Sequence, residues 1–255
     1  MKITRRNGIN LQVMQNVVFS DLGRMDYLSA WKHQEVLLQA NVRSKSQRSQ
    51  LLAAGSNQLA GDHDVTGTTH HLLLVEHPPV YTLGKSGRME NILISDKEME
   101  LMGIEFYHTN RAGDITFHGP GQVVAYPILD LERFYSDIGR YLRNLEEVVI
   151  RTIAEYGLTG ERSPGETGVW LQPQVKGLER KICAMGVRCS RWITMHGLAL
   201  NVNTNLEYFE HVIPCGIQDK KVTSIEHEIG TKVPLDKVKE SIKRNFEEVF
   251  DVTLV

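Results

Sequence analysis

The sequence predicts an α/β (α+β) protein with a mixed, largely antiparallel sheet packed with helices. Three observations support this fold class. Strand-like segments outnumber helical ones in the middle of the chain, 41% of the 255 residues are hydrophobic, and neither a repeat nor a long linker divides the chain. We therefore expect a single domain over residues 1–255, with a small C-terminal lobe from about residue 217 as the alternative.

The individual elements follow from apolar spacing and from the Gly, Pro and polar residues that bound each run. Strands are predicted over residues 11–19, 70–76, 80–83, 104–108, 122–129, 168–171, 181–188 and 198–202. Apolar residues at helical spacing predict helices over residues 27–42, 138–156 and 235–250. Residues 43–67 are rich in Ser, Gln, Gly and Asn, so we expect a mobile, exposed segment. Residues 111–121 are expected to form a loop because they hold several glycines and a proline.

Composition and charge exclude several classes of function. The net charge of −2 is spread along the chain without a basic stripe, which argues against nucleic acid as a partner. No apolar run approaches the roughly 20 residues that span a bilayer, and no signal-peptide segment opens the chain. The three cysteines show no disulfide spacing, as is typical of a reducing compartment. A cytoplasmic protein without a membrane partner is the resulting expectation.

The three cysteines differ in their sequence surroundings. Cys215 stands between Pro214 and Gly216 in a predicted turn, which exposes its sulfur. A nucleophilic cysteine needs such exposure together with a positive neighbour, because the thiolate is the reactive form. Lys181 and His211 are both candidates for that neighbour, and a structural role for the Cys215 thiol remains the alternative. Cys183 and Cys189 are expected to be core residues, since a buried free cysteine behaves as a small hydrophobe.

Lys181 opens an otherwise apolar strand, which is unusual for a lysine. Alternation along the strand predicts that Lys181 shares a face with Cys183 and Met185, and that Ala184 and Gly186 lie on the opposite face. The alternative is a lysine at a sheet edge whose charged end reaches water.

The loop over residues 111–121 places Arg111, Thr116 and His118 beside glycines at which a ligand could approach the backbone. It is either a substrate cradle or an ordinary turn. A phosphate loop is disfavoured because no Lys-Ser or Lys-Thr follows the glycines. A metal site that uses His118, His196, His211 and Cys215 is a weaker alternative, because no HExxH or paired CxxC motif is present. No Gly-x-Ser-x-Gly elbow occurs, so acyl chemistry would depend on cysteine.

Several motifs, in order along most of the chain, resemble the lipoyl(octanoyl) transferase family, which shares the fold of biotin- and lipoate-protein ligases. The resemblance begins with Tyr27, Trp31 and Gln34. It continues through residues 76–84 (EHPPVYTLG), 116–122 (TFHGPGQ), 168–170 (GVW), 181–186 (KICAMG), 196–203 (HGLALNVN) and 213–217 (IPCGI).

The resemblance implies an acyltransferase that moves an octanoyl group from octanoyl acyl carrier protein to the target lysine of lipoyl domains. Cys215 would carry the acyl group as a thioester, and Lys181 would lower the pKa of its thiol. The acyl-binding residues would be Arg111, Ala112, Gly113, Asp114, Ile115, Thr116, Phe117, His118, Ala184, Met185, Gly186, Gly197, Leu198 and Ala199. Bulk at Gly186 is therefore expected to shorten the accepted chain.

The same resemblance implies the partners and excludes a resident cofactor. The acyl donor would bring its own phosphopantetheine on the carrier protein. The acceptors would be lipoyl domains of 2-oxoacid dehydrogenase acyltransferase subunits and the glycine cleavage H protein. Two departures from the family pattern are Ala112, where a second glycine is usual, and Phe117, where tyrosine is common. An ATP-dependent lipoate or biotin ligase, and a non-catalytic metal- or acyl-binding module, are the competing hypotheses.

Overall fold

The computed structural model describes residues 14–53, 67–213 and 221–255. The strands are β1 (Gln15–Arg24), β2 (His70–Glu76), β3 (Val80–Leu83), β4 (Glu105–His108), β5 (Ile115–His118), β6 (Gln122–Ile128), β7 (Val169–Leu171), β8 (Arg180–Ser190), β9 (Ile193–Asn201), β10 (Lys221–Val222) and β11 (Val252–Leu254). The helices are α1 (Tyr27–Ala53), α2 (Asp96–Leu101), α3 (Ile138–Ala154), α4 (Ile225–Ile229) and α5 (Leu235–Phe250).

Within the described residues, eight strands form the main sheet in the order β10-β8-β9-β6-β2-β1-β11, with β7 paired to β8. The central ladders, β2 to β6, β6 to β9 and β8 to β9, are antiparallel, and so is the pairing of β7 with β8. The outer ladders, β1 to β2, β1 to β11 and β8 to β10, are parallel. The predicted α/β class with a mixed, largely antiparallel sheet is therefore confirmed.

A second, smaller sheet has the order β4-β3-β5 and packs beside the first. Strand β3 pairs in parallel with β4 and antiparallel with β5. Its core contains Tyr81, Phe117 and Val212, all buried. This sheet brings the end of β5 next to the start of β6, where several of the predicted site residues lie.

Helices cover both faces of the main sheet. On one face α3 and α5 pack onto the sheet around Tyr141, Leu145 and Phe246, which are fully or almost fully buried. On the other face α1 packs with Ala30 and Leu38. Strands β6 and β9 are buried along their whole length because both faces are covered. Each large apolar side chain buried in this way contributes roughly 1.5–3 kcal/mol to the free energy of unfolding.

Helix α3 shows how the sequence specifies its elements. Asp137 caps its start by accepting a hydrogen bond from Arg140 N at 2.9 Å, which satisfies a backbone donor that the first turn leaves free. Its apolar face faces the sheet, and Gly157 follows the helix with a φ of +76°, a conformation that glycine adopts without strain.

The expectation of a mobile, exposed segment over residues 43–67 is wrong for its first part. Helix α1 continues to Ala53 because Lys45 binds Asp130 and Glu132, each at 2.8 Å, and donates to Arg191 O at 2.9 Å. The segment also contains Arg, Lys, Gln and Leu, which are good helix formers. Its polar composition therefore does not argue against a helix. Residues 54–66 lie outside the described residues.

The predicted loop over residues 111–121 contains strand β5, which pairs with β3. Pairing with β3 holds the four residues of β5 in place. Sequence periodicity alone does not reveal this pairing. Helices α2 and α4 and strands β10 and β11 were not predicted, because they are too short to produce a periodic signal.

From Lys221 onward the chain contributes to the largest core, through α5 and through the pairing of β11 with β1. The alternative of a separate C-terminal lobe, like the single-domain prediction, stays a prediction. None of the helices in the described ranges is both long and apolar enough to cross a membrane.

Candidate active site

A cavity of about 100 Å³ is walled by β5, β6, β8, β9 and the loop before β5. Most of the residues that sequence motifs predict for the acyl site line it. They are Arg111, Gly113, Asp114, Ile115, Thr116, His118, Lys181, Ala184, Met185, Gly186, Gly197, Leu198 and Ala199. Ala112 and Phe117 do not line the cavity, and Cys215 lies outside the described residues. What each residue does toward a substrate stays a prediction.

Strand register arranges the floor of the cavity in successive layers. From one end to the other they are Gln122 with Asn201, then Val124 with Ala199 and Ala184, then Gly197 with Gly186. Polar side chains therefore form the first layer, small apolar ones the second, and the third layer has no side chains. This gradient suits a chain whose polar end lies at the first layer and whose alkyl part extends over the other two.

Lys181 lies at the polar end of the cavity, on β8. The register of β7 and β8 shifts between Trp170, opposite Lys181, and Val169, opposite Cys183. This bulge breaks the alternation, so Lys181 lines the same cavity as Ala184 while Cys183 belongs to the core. The predicted shared face of Lys181 and Cys183 is therefore wrong, and the predicted opposition of Lys181 to Ala184 fails with it.

Lys181 is half-buried, and its Nζ lies 4.5 Å from the centroid of the Trp170 ring. This is within the range of a cation–π interaction, which fixes the side chain without neutralising its charge. Strand β8 has neighbours on both sides, so Lys181 is not on a sheet edge as the snorkelling alternative required. A positive charge is thus held at the wall of the cavity.

A chain of hydrogen bonds fixes the polar layer relative to Lys181. Because His118 Nδ1 donates to Gln122 Oε1 at 2.8 Å, Gln122 Nε2 is directed to Asn201 Oδ1, also at 2.8 Å. Asn201 Nδ2 donates to Thr223 O at 3.0 Å, and Thr223 N donates to Lys181 O at 2.9 Å. The network joins the small sheet, β9 and the segment after β10 into one rigid wall.

A buried carboxylate positions the chain beside Lys181. Glu146 Oε1 accepts from Gly168 N at 3.1 Å, while Oε2 binds Arg143 and Arg162. Gly168 has a φ of +112°, and a Cβ there would lie 2.5 Å from Cys183 O, so only glycine fits. Burial raises the pKa of Glu146, and the bond from Gly168 N and the two arginines oppose that shift.

The loop over residues 111–114 is held by the buried Arg111 guanidinium, which donates to Asp114 O at 2.7 Å and to Thr82 O. Gly113 has a φ of +89°, which glycine adopts readily. The loop lies directly on β8, since a Cβ at Gly186 would be 2.7 Å from Ala112 O. Residues 111–114 of the predicted substrate loop therefore pack against the sheet, and the Arg111 side chain stabilises them from inside the loop.

The two departures from the family pattern are accommodated away from the cavity. Ala112 does not have a positive φ, so its Cβ causes no backbone strain, and its N–H donates to Val187 O at 3.0 Å. Phe117 is buried in the core of the small sheet, where its ring stacks on Tyr208 with centroids 4.4 Å apart. A hydroxyl at position 117 would lie in that apolar cluster.

Several cavity residues were not predicted. They are Tyr27, Gln122, Val124, Tyr126, Thr167, His196, Asn201, Phe209 and Val222. A signal existed for some of them, because Gln122 and Asn201 are polar residues within apolar strands, and such residues need buried partners. Tyr27 and His196 were noted only as motif residues and, for His196, as a weak metal ligand.

Histidines at the cavity are held uncharged. Burial lowers the pKa of His118 to about 3, and the neighbouring His77 contributes to that shift. Burial also lowers the pKa of His196 to about 3, with the charges of Arg111 and Arg188 acting in the same direction. At neutral pH these rings therefore act as hydrogen-bonding groups rather than cations.

These pKa shifts predict a loss of stability in acid. An unfolded histidine has a pKa near 6.5, so between about pH 6.5 and 3 the unfolded chain binds protons that folded His118 and His196 do not. Their contribution is complete above pH 6.5 and falls by up to about 1.4 kcal/mol per pH unit for each histidine. Urea unfolding at pH 7.5, 6 and 5 measures this slope. His118→Gln should reduce it, whereas His108→Gln, at an exposed position, should not.

The cysteines of the described residues are poor candidates for the nucleophile. Cys183 is buried, and burial raises the pKa of its thiol. Cys189 is exposed near the end of β8, so its prediction as a core residue is wrong, and partial burial of its sulfur still raises its pKa. His211, the alternative positive neighbour for Cys215, does not line the cavity, whereas Lys181 does.

Among the described residues, no group of three or more His, Cys, Asp or Glu side chains is arranged to hold a metal ion. The proposed metal ligands His118 and His196 instead donate to neutral amides, those of Gln122 and Asn110.

The fold is that of lipoate protein ligases. A bi-partite lipoate protein ligase from Thermoplasma acidophilum has a TM-score of 0.63 at 16% identity and covers 95% of this chain and 86% of its own. Lipoate-protein ligase A, solved with ATP, has a TM-score of 0.63 at 14% identity and covers 95% of this chain and 88% of its own. At these identities the likeness establishes the fold alone, and it agrees with the prediction.

Sequence comparison identifies the family within that fold. The lipoyl protein ligase A/B catalytic domain matches residues 26–247. An octanoyltransferase of Flavobacterium psychrophilum is 51% identical over 242 residues, 94% of this chain and 99% of that protein. An octanoyltransferase of Flavobacterium johnsoniae is 51% identical over 244 residues with the same coverage. The chain belongs to the lipoyl protein ligase A/B catalytic-domain family, and within this family it is similar to octanoyltransferases. It is an acyltransferase of protein lipoylation, as the motifs predicted.

Proposed function

We propose that the enzyme transfers an octanoyl group from octanoyl acyl carrier protein to a lysine of a lipoyl domain through a thioester on Cys215. The observation that supports this most directly is that a cationic side chain, Lys181, lines an apolar cavity. The chain that contains this cavity is homologous to octanoyltransferases. Val222, which pairs with Lys181, and Phe209 also line the cavity. The described chain on both sides of residues 214–220 therefore runs beside it.

The first step exchanges one thioester for another. The Cys215 thiolate attacks the carbonyl carbon of the acyl carrier thioester, and the phosphopantetheine thiolate leaves and takes up a proton from the Lys181 ammonium, which becomes the free amine. Lys181, as an ammonium ion, stabilises the Cys215 thiolate before attack. The alkyl chain occupies the layers lined by Ala184, Ala199 and the paired glycines.

The second step forms the amide product. The amine of the acceptor lysine attacks the Cys215 thioester, the Cys215 thiolate leaves, and the amine nitrogen loses a proton to an adjacent base. Lys181 in its free-amine form can accept that proton and return to the ammonium form that stabilises the released thiolate. The reaction consumes no ATP, because a thioester is already an activated acyl group, as an acyl adenylate would be.

The predicted residues have distinct roles in this proposal. The cavity-lining residues of the segment 111–118 and the small residues of β8 and β9 hold the octanoyl chain. The carrier protein is the donor and lipoyl domains are the acceptors. One solved neighbour, the ligase of T. acidophilum, is described together with its E2 lipoyl domain. No resident cofactor is required, and the cytoplasmic location expected from the sequence remains a prediction.

A transfer assay without nucleotide tests this function. Purified enzyme, octanoyl acyl carrier protein and a lipoyl domain should give octanoylated lipoyl domain at the same rate with and without ATP and magnesium. A matched reaction with free octanoate, ATP and magnesium should give no product. Product only in the second reaction would contradict the proposal and support an ATP-dependent ligase.

Bulk in the middle layer should shorten the accepted chain. Gly186 is not a suitable position, in contrast to the sequence expectation, because a Cβ there would press on Ala112 O and displace the loop. Ala199 lines the cavity and faces Val124 and Ala184 across the strands. Ala199→Leu should lower kcat/KM for octanoyl relative to hexanoyl carrier protein about tenfold, the effect of losing room for two methylenes. Ala154→Leu, at an exposed position, is the control. An unchanged ratio in Ala199→Leu would place the alkyl chain elsewhere.

A further inference from the structure

The cavity ends at a bulky side chain on β9. Gly197 and Gly186 form its last layer and contribute no side chain. Immediately before Gly197 is His196, whose ring lines the cavity and is 1% exposed. Tyr126 lines the same end, but its hydroxyl is bound to His77 Nε2 at 2.8 Å. His196 is therefore the side chain on β9 that meets the far end of a chain lying along the floor.

The backbone of His196 is strained in a way that directs its ring. It has a φ of +57° inside a strand, a conformation that non-glycine residues rarely adopt. The ring consequently lies on the α1 face of the sheet, where its centroid is 6.2 Å from that of Trp31 and 6.4 Å from that of Tyr126. Strain of this kind persists only where surrounding contacts enforce it, and it concentrates at functional sites.

Those contacts form a half-buried polar chain behind the ring. His196 Nε2 donates to Asn110 Oδ1 at 2.7 Å, and Asn110 Nδ2 donates to Glu35 Oε1 at 3.0 Å. Arg188 binds the same Glu35 carboxylate. The backbone N–H of His196 donates to Gln34 Oε1 at 2.9 Å. The ring is thus held from behind, and it forms a rigid, uncharged wall rather than a movable side chain.

The length of the cavity fits an eight-carbon chain. Lys181 and Gly186 are five residues apart on β8, and with one residue taken up by the bulge this is about 13 Å at ~3.3 Å per residue. An extended octanoyl group, with carbon–carbon bonds of ~1.5 Å, spans about 9 Å. With its carbonyl beside Lys181, its last carbon lies about 4 Å before the glycine layer, which is a carbon–carbon contact distance from a side chain that closes the cavity at that layer.

We infer that His196 is the specificity-determining residue of the acyl cavity and sets the longest chain that the enzyme accepts. The inference rests on the proposed acyl transfer, because it concerns the far end of the same cavity. In this inference, the chain of Asn110, Glu35 and Arg188 holds the His196 ring in the position that sets this limit.

Removal of the ring should lengthen the accepted chain. His196→Gly is the variant to use, because glycine adopts a φ of +57° without strain and leaves space beyond the third layer. The ratio of kcat/KM for decanoyl to octanoyl carrier protein should rise about tenfold, the effect of burying two more methylenes. His196→Asn, also compatible with this backbone, should shift the ratio in the same direction by less, and it serves if the glycine variant folds poorly.

A matched control separates chain length from general damage. Arg191 has a similar φ of +51° in the same hairpin but is exposed and does not line the cavity. Arg191→Gly should leave the ratio unchanged. If His196→Gly and His196→Asn lower octanoyl and decanoyl transfer equally, His196 is only structural and the inference is wrong. If instead the wild-type enzyme transfers neither acyl group, the proposed function itself fails, which is a distinguishable result.

Discussion

Cys215→Ala should abolish octanoyl transfer, with a fall in kcat/KM of at least ~10⁴-fold, as is typical when a covalent nucleophile is removed. The reason is that the proposed reaction has no other route: alanine can neither attack the donor thioester nor carry the acyl group to the acceptor lysine. Steady-state transfer from octanoyl acyl carrier protein to a lipoyl domain, followed by mass spectrometry of the lipoyl domain, measures the effect.

The two other cysteines provide matched controls. Cys183→Ala and Cys189→Ala should each retain transfer within a fewfold of wild type, since burial disfavours the Cys183 thiolate and Cys189 does not line the cavity. Thermal unfolding should show a loss of stability for Cys183→Ala, whose side chain is in the core, and almost none for exposed Cys189→Ala. Transfer that survives in Cys215→Ala but fails in Cys183→Ala would overturn the choice of nucleophile.

Lys181→Met should slow transfer by ~10²–10⁴-fold, the usual contribution of a positioned acid–base group. Methionine keeps an unbranched apolar side chain but removes the ammonium that lies over the Trp170 ring. Less Cys215 thiolate would then be present, so alkylation of Cys215 by iodoacetamide near neutral pH should slow as well. The rate of alkylation as a function of pH, with the adduct located by peptide mapping, checks this.

Lys181→Arg separates the two roles of the lysine. An arginine keeps a positive charge and should preserve much of the alkylation rate, but its guanidinium does not release a proton in this pH range. Transfer to the acceptor lysine should therefore remain slow. If Lys181→Met leaves both alkylation and transfer unchanged, Lys181 has no part in the reaction.

Parts of the fold follow directly from the sequence. Strands β2 and β3 were predicted with their observed bounds, because Pro78 and Pro79 separate two apolar runs and neither proline can continue a ladder. Helix α5 also has its predicted bounds, since its apolar residues recur at helical spacing over 16 residues. Local patterns of this strength need no tertiary information.

Other parts depend on contacts that no local pattern contains. The C-terminal half of α1 is ordered by Lys45, whose partners Asp130 and Arg191 are far away in sequence. Strands β5, β10 and β11 exist because a neighbouring strand offers a ladder. The strand bulge at Lys181 similarly arises from pairing with β7, and it reverses a face that alternation alone assigned.

The candidate site shows the same division. Motifs identified Lys181 and most of the cavity wall, because chemistry demands particular residue types there. They did not identify the network that joins Gln122 to Asn201, nor the role of His196 at the cavity end, because these depend on which strands become neighbours. The polar character of Gln122 and Asn201 within apolar strands was nevertheless visible in the sequence.

The covalent intermediate is tested most directly by intact-protein mass spectrometry. Wild-type enzyme incubated with octanoyl acyl carrier protein, without an acceptor, should gain the mass of one octanoyl group. Hydroxylamine should remove it, and peptide mapping should place it on Cys215. Addition of a lipoyl domain should then discharge the adduct as octanoylated lipoyl domain forms. An enzyme that transfers octanoyl groups at full rate while it never carries one, or that carries one on another residue, would contradict the Cys215 mechanism.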